Sequence, residues 1–119
     1  MKIQEVSKLF NIPSPTLRYY EDLGLIEEVP RISNRRDYND NHIDQINFII
    51  CMKKTGLSLK EIQNYVHLYL SGPQTGVERI DILEQQKART LEKIRELENI
   101  INYIDQKIIT IDEEKQVTP

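Results

Sequence analysis

Apolar positions in the first 22 residues predict two short helices joined by a tight turn. The first helix is indicated by four apolar residues on one helical face: Ile3, Val6, Leu9 and Phe10. It ends near Pro13, because proline interrupts a helix. Ser14 is a favourable N-cap residue, so a second helix is predicted over residues 15–22. Leu17 and Tyr20 are spaced to face inward, and the pair of helices is typical of a helix-turn-helix.

Residues 25–38 predict a small β-hairpin after Gly24, the residue expected to end the second helix. The stretch contains proline and asparagine, and β-prone residues stand at its ends. Three arginines lie in or near its tip: Arg31, Arg35 and Arg36. The hairpin is therefore expected to carry a concentrated positive charge.

Two longer helices are predicted after the hairpin. The third helix begins after Asp40 and ends at Gly56. Residues 48–52 are five consecutive apolar positions, which point all round a helix at about 100° per residue. We therefore expect this helix to be buried on most sides. A fourth helix opens with the capping-box pair Ser58 and Glu61 and ends at the Ser-Gly-Pro sequence that follows it.

The clearest periodicity lies in the C-terminal third, where ten positions alternate in steps of three and four. This heptad seam consists of Ile80, Leu83, Lys87, Thr90, Ile94, Leu97, Ile101, Ile104, Ile108 and Ile111. It predicts a helix over residues 75–111, about 54 Å long at 1.5 Å per residue, opened by a capping box at Thr75 and Glu78. Because eight of the ten positions are apolar, the helix needs a partner, and a second copy paired through residues 80–111 is predicted.

Lys87 and Thr90 interrupt the heptad seam. They can reflect local looseness, or they can set the register or orientation of the paired helices. Residues 112–119 are predicted to be a polar tail that frays.

Composition fits one small domain plus a long solvated helix, since the 119 residues are 39% apolar and 29% charged. The formal net charge is −3, but residues 1–70 carry nine Lys or Arg and nine Asp or Glu. The N-terminal part can therefore present a basic face. Cys51 is the only cysteine, which excludes an intrachain disulfide and suits a reducing compartment. The absence of a long apolar stretch predicts a cytoplasmic protein with no membrane partner.

Catalysis is not predicted. The sequence has no glycine-rich phosphate loop and no nucleophile elbow, and His42 and His67 lack companions at metal-ligand spacing. Adjacent carboxylates such as Glu21-Asp22 are more often solvated surface than acid and base catalysts. No catalytic residue, metal or cofactor is therefore assigned.

The second helix and the hairpin carry groups suited to DNA. The helix offers Ser14, Thr16, Arg18 and Tyr19, whose hydroxyls, guanidinium and phenol can bond phosphates and base edges. The hairpin, with Arg35, Arg36 and Tyr38, can lie on the neighbouring backbone as a wing. The competing interpretation is an ordinary exposed helix beside a solvated loop.

Ordered motifs over residues 1 to about 70 resemble the MerR family of bacterial transcriptional regulators. They are Thr16-Leu17-Arg18-Tyr19-Tyr20-Glu21 with Gly24-Leu25-Ile26, then Arg36-Asp37-Tyr38, then Gly56-Leu57-Ser58-Leu59-Lys60-Glu61-Ile62. The resemblance implies a mostly α fold, in which a winged helix-turn-helix domain (residues 1–70) precedes a long coiled-coil helix that dimerises antiparallel. It also implies that the homodimer binds double-stranded promoter DNA and distorts the spacer so that RNA polymerase can engage both promoter elements.

The same resemblance assigns roles to individual residues. The reading helix would use Ser14, Thr16, Arg18 and Tyr19, the wing would use Arg35, Arg36 and Tyr38, and Lys60 would stand at a helix start near phosphate. Two departures are visible. Asn11 stands where the family commonly has glycine in the turn, and Asn34-Arg35-Arg36-Asp37 replaces the usual glycine-containing wing tip.

The signal is less defined. The run Cys51 to Ser58 resembles the thiol-based branch of the family, which responds to aldehydes, related electrophiles or nitric oxide, whereas the cysteines of metal-sensing members are missing. Cys51 is a candidate sensor or a packing residue, because its place near a helix C-terminus disfavours the thiolate while Lys54 favours it. Tyr65 and Tyr69 are one turn apart and form a candidate effector pocket or plain packing.

A second class of function is a coiled-coil protein-interaction module without specific DNA binding. The acidic, heptad-rich C-terminal part favours it. Salt-sensitive affinity for DNA distinguishes the two classes.

Overall fold

The computed structural model describes residues 1–117, with side chains described as far as Gln116. Its helices are α1 Ile3–Phe10, α2 Ser14–Asp22, α3 Asp40–Lys54, α4 Leu59–Ser71 and α5 Gly76–Val117. The strands are β1 Arg31–Ile32 and β2 Arg35–Arg36, and a 3₁₀ turn spans Pro73–Thr75. The chain divides into two compact units, one ending at Ile82 and one beginning at Leu83. The predicted fold class, mostly α with a small wing and a long C-terminal helix, is confirmed.

The turn between α1 and α2 is built around Asn11, which has a left-handed backbone with φ 54°. Asparagine tolerates this conformation better than most residues, so the turn forms without the glycine that the family commonly uses there. The backbone N–H of Ile12 donates to the Ser7 carbonyl at 3.1 Å and closes the end of α1. Leu9, predicted on the apolar face of α1, is exposed in the structure.

The start of α2 differs by one residue from the prediction. Pro13 occupies the N-cap position, and its carbonyl accepts the N–H groups of Thr16 at 3.0 Å and Leu17 at 3.3 Å. Ser14, predicted as the cap, is therefore the first helical residue. The prediction that Leu17 and Tyr20 face inward is confirmed, since both are buried.

The wing, residues 31–36, is an antiparallel hairpin. Arg31 pairs with Arg36 and Ile32 with Arg35, which leaves a loop of two residues. Ser33 and Asn34 in that loop both have positive φ, 52° and 63°, as a type I′ turn requires. The tip is thus closed by Ser-Asn in place of glycine.

The core of the N-terminal unit gathers apolar residues from the helices α1 to α4 and from the loops between them. Its buried members are Val6, Leu17, Tyr20, Leu25, Ile26, Val29, Tyr38, Ile46, Ile49, Leu57, Ile62 and Val66. Because residues from α2, the hairpin arms, α3 and α4 share this core, the exposed face of α2 is held rigidly beside the wing.

Both predicted helix starts in the middle of the chain are close to those observed. Asn39 caps α3 by accepting the His42 N–H at 3.1 Å, and the His42 Nδ1 accepts the Asn39 N–H at 3.0 Å. The capping box of α4 is confirmed, with the Ser58 Oγ accepting the Glu61 N–H at 3.1 Å. The burial expected of residues 48–52 is only partly met, because Cys51 is exposed.

The long helix α5 runs six residues past the predicted end of the coil and includes residues 112–117 of the predicted polar tail. Residues 118 and 119 of that tail lie outside the described residues. The predicted capping role of Thr75 is corrected, because its hydroxyl contacts the carbonyls of Leu68 at 2.7 Å and Gly72 at 2.8 Å and accepts the Arg79 Nε–H at 3.0 Å. Through residue 117, no helix is both long and apolar enough to cross a membrane.

Candidate nucleic-acid interface

The outer face of α2 presents two polar side chains to solvent. Arg18 and Tyr19 are exposed, whereas their neighbours Leu17 and Tyr20 are buried, because successive residues of a helix turn by about 100°. Ser14 and Thr16 lie half-buried at the first turn of the same helix. Hydroxyl groups therefore stand at the first turn of α2, and a guanidinium and a phenol stand in its middle.

A basic cleft of about 310 Å³ lies between the start of α1, α2 and the wing. It is lined by Lys2, Ile3, Gln4, Arg18, Asn34, Arg35 and Arg36. Four of these seven residues are Lys or Arg, so the cleft suits an anion such as a backbone phosphate. A second cleft along the wing, of about 480 Å³, shares Lys2, Arg35 and Arg36 with the first.

The basic cleft brings together three residues that sequence reasoning predicted, Arg18, Arg35 and Arg36, and adds Lys2. Lys2, which the sequence did not predict, lies there because its backbone forms a β-bridge with Asp37, the residue directly after β2. The Tyr38 N–H also donates to the Met1 carbonyl at 2.8 Å. No local sequence signal marks such pairings, since they join residues more than thirty positions apart.

Glu21 and Arg36 form a close ion pair inside this region. The Arg36 Nε donates to the Glu21 Oε1 at 2.8 Å, and the Val29 N–H donates to the Glu21 Oε2 at 3.0 Å. Burial alone would raise the pKa of Glu21, but these two hydrogen bonds and the charges of Arg36 and Arg31 outweigh it and lower the pKa below its ordinary value of 4.5. The hydrogen bond to Glu21 likewise raises the pKa of Arg36.

Tyr38 is not a surface residue, which corrects its predicted role as a DNA contact of the wing. The residue is 2% exposed, and its ring packs edge-on against His42 with centroids 5.9 Å apart. Its hydroxyl is buried without a hydrogen-bond partner, and burial raises the pKa of this phenol. The alternation of side chains along the arm of the hairpin turns Tyr38 into the core.

Lys60 stands apart from the basic cleft in the first turn of α4. Its side chain is exposed, and it is the second residue of α4, two positions after the capping residue Ser58. The N-terminus of a helix carries a partial positive charge, and Lys60 adds to it. The Glu61 carboxylate also lies at this helix start and accepts the Ser58 N–H at 3.3 Å, so a phosphate contact of Lys60 stays a prediction.

The two tyrosines of α4 border a groove against α3. This groove measures about 210 Å³ and is lined by Asn41, Asp44, Gln45, Phe48, Tyr65, Val66 and Tyr69. The rings of Phe48 and Tyr65 stack with centroids 4.6 Å apart, and the Arg79 guanidinium lies 5.5 Å from the Tyr69 ring. Three of the seven lining residues are aromatic, and the three polar ones, Asn41, Asp44 and Gln45, all come from α3.

Cys51 lies in the last turns of α3 with its side chain exposed. A thiol must be accessible to react with an external electrophile. Among residues 1–117, no group of three or more His, Cys, Asp or Glu side chains is placed to hold a metal ion.

Two family models match the chain: "MerR HTH family regulatory protein" over residues 1–68 and "MerR, DNA binding" over residues 43–113. The transcriptional regulator AdhR of Bacillus subtilis is 41% identical over 77% of this chain, and the alignment covers 66% of AdhR, just under two thirds of its length. HmrR of Rhizobium leguminosarum is 32% identical, with 82% of this chain and 75% of HmrR covered.

Two solved structures superpose closely. A MerR family regulator from Listeria monocytogenes has a TM-score of 0.84 at 27% identity, covering 98% of this chain and 94% of its own. HiNmlR, a MerR family regulator lacking the sensor domain and bound to promoter DNA, also has a TM-score of 0.84, at 26% identity, covering 98% and 93%. Since each family model matches more than half of the chain, this protein belongs to the MerR family of DNA-binding transcriptional regulators and is not an enzyme.

Proposed function

We propose that the protein binds a promoter site as a homodimer, with α2 as the reading helix and the wing on the adjacent DNA backbone. The observation that carries this proposal is the basic cleft, which joins Arg18 of α2 to Arg35 and Arg36 of the wing. A protein–DNA interface combines such phosphate-binding cations with groups that reach base edges. Ser14, Thr16 and Tyr19 of α2 supply those groups, and Lys60 supplies a further phosphate contact.

The test is a fluorescence-anisotropy titration against the protein's own upstream promoter DNA at two salt concentrations. Arg18→Ala is expected to weaken binding at least tenfold, roughly the effect of losing one good base or phosphate contact in each half-site. Lys115→Ala, which removes one cation from the last turn of α5, is the matched control and is expected to leave affinity within about twofold. Equal affinities for Arg18→Ala and the wild-type protein would contradict the assignment of α2.

The homodimer is supported by the unpartnered heptad seam. Seven of its eight apolar residues are exposed in the single chain: Ile80, Ile94, Leu97, Ile101, Ile104, Ile108 and Ile111. An apolar stripe of this length on one helix is the pattern of a coiled coil. A second copy of α5 covers the stripe and gives the two-fold symmetry that a palindromic promoter site needs.

For the signal, we propose an aldehyde or related electrophile that reacts with Cys51. The thiolate adds to the carbonyl carbon, the carbonyl oxygen takes up the proton, and a hemithioacetal forms. The exposed thiol and the resemblance of residues 51–58 to the thiol-based branch support this choice. Cys51→Ser is expected to abolish electrophile-induced transcription and to leave promoter binding intact.

The groove bordered by Tyr65 and Tyr69 is a second candidate for the signal, favoured by the three aromatic rings that line it. It would take a small apolar ligand without covalent chemistry. If Cys51→Ser still responds and Tyr65→Leu does not, the groove is the sensor. If Tyr65→Leu still responds and Cys51→Ser does not, Cys51 is the sensor.

The resemblance also extends the proposal to RNA polymerase in the cytoplasm, recruited to a promoter whose spacer the dimer distorts. In vitro transcription from the upstream promoter with and without the protein measures this effect. An unchanged transcript level in the presence of saturating protein and signal would contradict it. The alternative of an interaction module without DNA binding is set aside by the family membership.

A further inference from the structure

We infer that Glu21 is a positioning residue for DNA binding, which holds the wing against the reading helix although its own charge repels DNA. The inference rests on the proposed roles of α2 and the wing. Adjacent carboxylates at Glu21-Asp22 were expected to be solvated surface. The structure separates the two, because Glu21 is engaged by two other segments while Asp22 is exposed.

The contacts of Glu21 join three parts of the chain. Its carboxylate lies in α2, receives the Arg36 Nε–H from β2 at 2.8 Å, and receives the backbone N–H of Val29 at 3.0 Å. The side chains of Glu21 and Arg36 are only 13% and 18% exposed. Both oxygens of the carboxylate therefore accept a hydrogen bond, one from the segment that leads into β1 and one from β2.

The wing needs such a tether because it is very small. Each strand has two residues, and an isolated hairpin of that size is not stable in water. The Asp37 N–H donates to the Pro30 carbonyl at 2.8 Å and closes the hairpin on itself, while the Lys2–Asp37 bridge joins its base to the residue before α1. The hydrogen bond from Arg36 to Glu21 is charge-assisted and ties the hairpin to α2.

This arrangement changes the role of Arg36. Its Nε is engaged by Glu21, while its side chain still lines the basic cleft beside Arg18 and Arg35. The ion pair thus sets where the remaining guanidinium nitrogens and the neighbouring Arg35 stand relative to the reading helix. Without Glu21 the arginines would still be present, but their side chains would be free to move. Binding to DNA would then have to order them, and this entropy cost lowers the affinity.

Because Glu21 is negatively charged, the two explanations predict opposite changes in DNA affinity when the charge is removed. If Glu21 acted only as a negative charge near DNA, Glu21→Gln would raise affinity by removing repulsion. If Glu21 positions the wing, the same change lowers affinity. Gln has the same shape and can still accept the Val29 N–H, so the substitution removes mainly the charge-assisted bond to Arg36.

The experiment compares the full-length protein with Glu21→Gln and Asp22→Asn, which removes the same charge from the adjacent exposed residue. On upstream promoter DNA, we expect Glu21→Gln to bind about tenfold more weakly, because the wing cations must be ordered on binding. Asp22→Asn is expected to bind as tightly as the wild type or more tightly. Wild-type or higher affinity for Glu21→Gln would overturn the inference.

Two further measurements separate positioning from a general loss of structure and from failure of the proposed DNA contacts. Arg36→Gln and the double variant Glu21→Gln/Arg36→Gln complete a cycle, in which non-additive losses support the inference and additive losses overturn it. Limited trypsin digestion needs no DNA: cleavage after Arg31 or Arg35 is expected to be faster in Glu21→Gln than in Asp22→Asn. Equal cleavage rates would overturn the tether itself, whatever the outcome with DNA.

Discussion

At the residue scale, Glu21 and Asp22 show how neighbouring carboxylates acquire different roles. They are adjacent in the chain, yet a turn of about 100° places one against Arg36 and the Val29 N–H and the other in solvent. The pKa of Glu21 is lowered, because the bonds and positive charges around its ionised form outweigh the burial that opposes it.

This lowered pKa predicts how stability depends on pH. A carboxylate whose pKa is lower in the folded protein than in the unfolded chain stabilises the fold above its unfolded pKa, and the contribution is lost as the pH falls through its folded pKa. We expect Glu21→Gln to lower the free energy of unfolding at pH 7 and to differ less from the wild type below about pH 4. Urea unfolding at both pH values measures this, with Asp22→Asn as control. The same deficit at both pH values would contradict the prediction.

Tyr38 gives a second prediction at this scale. Its hydroxyl is buried and makes no hydrogen bond, which costs about 1 to 3 kcal/mol relative to a solvated hydroxyl. We expect Tyr38→Phe to raise the free energy of unfolding by about 1 kcal/mol and to leave promoter affinity within about twofold. Denaturant unfolding and anisotropy titration check the two parts. A large loss of promoter affinity would contradict this and indicate that Tyr38 contacts DNA.

At the scale of elements, the loops show how asparagine substitutes for glycine. Asn11 ends α1 with φ 54°, and Asn34 closes the wing with φ 63°. Asparagine is among the non-glycine residues that accept a left-handed backbone, because its short side chain can bond the nearby backbone. The two departures from the family pattern therefore preserve the backbone geometry of the turn and the wing.

The heptad seam of α5 gives the prediction for dimerisation. Ile101 lies on the seam and Asn102 is its exposed neighbour, off the seam. A buried charge at Ile101→Asp would face apolar side chains of the second copy without a partner, so this variant is expected to sediment as a monomer. Asn102→Asp adds the same charge on the solvent side and is expected to remain a dimer. Sedimentation velocity distinguishes them, and a dimeric Ile101→Asp would contradict the proposed seam.

At the scale of the whole molecule, the positive charges are concentrated in one place although the protein as a whole is acidic. The net charge is −3, yet Lys2, Arg18, Arg35 and Arg36 converge on one cleft. Overall acidity therefore does not oppose DNA binding, because screening in physiological salt limits the reach of distant charges to about 8 Å.

The proposed dimer also predicts an effect on DNA binding that does not depend on any single DNA-contacting residue. In that dimer two linked reading helices would bind two half-sites, and the first contact would raise the effective concentration of the second helix at its half-site. We expect Ile101→Asp to lose at least about a hundredfold in affinity for the palindromic site, although it changes nothing in the basic cleft. Anisotropy titration against full and half sites measures this. A variant that is monomeric and still binds the full site with wild-type affinity would contradict cooperative use of two copies.

The elements and the heptad seam follow from the sequence alone, because helical periodicity, capping boxes and helix breakers act over a few residues. The α4 capping box and the inward Leu17 and Tyr20 were predictable in this way. The basic cleft was predictable only in part. Motif resemblance indicates Arg18 and Arg35, but neither Lys2 nor the engagement of Arg36 by Glu21 has a local signal.

The sequence by itself therefore determined the family and the order of the helices. Tertiary structure alone decided that Tyr38 lies in the core, that Lys2 joins the basic cleft, and that Glu21 is paired. The physical reason is the sequence distance over which each interaction acts. Local patterns fix how a residue is presented on its own helix or strand, whereas burial and ion pairing depend on which distant segment packs against it.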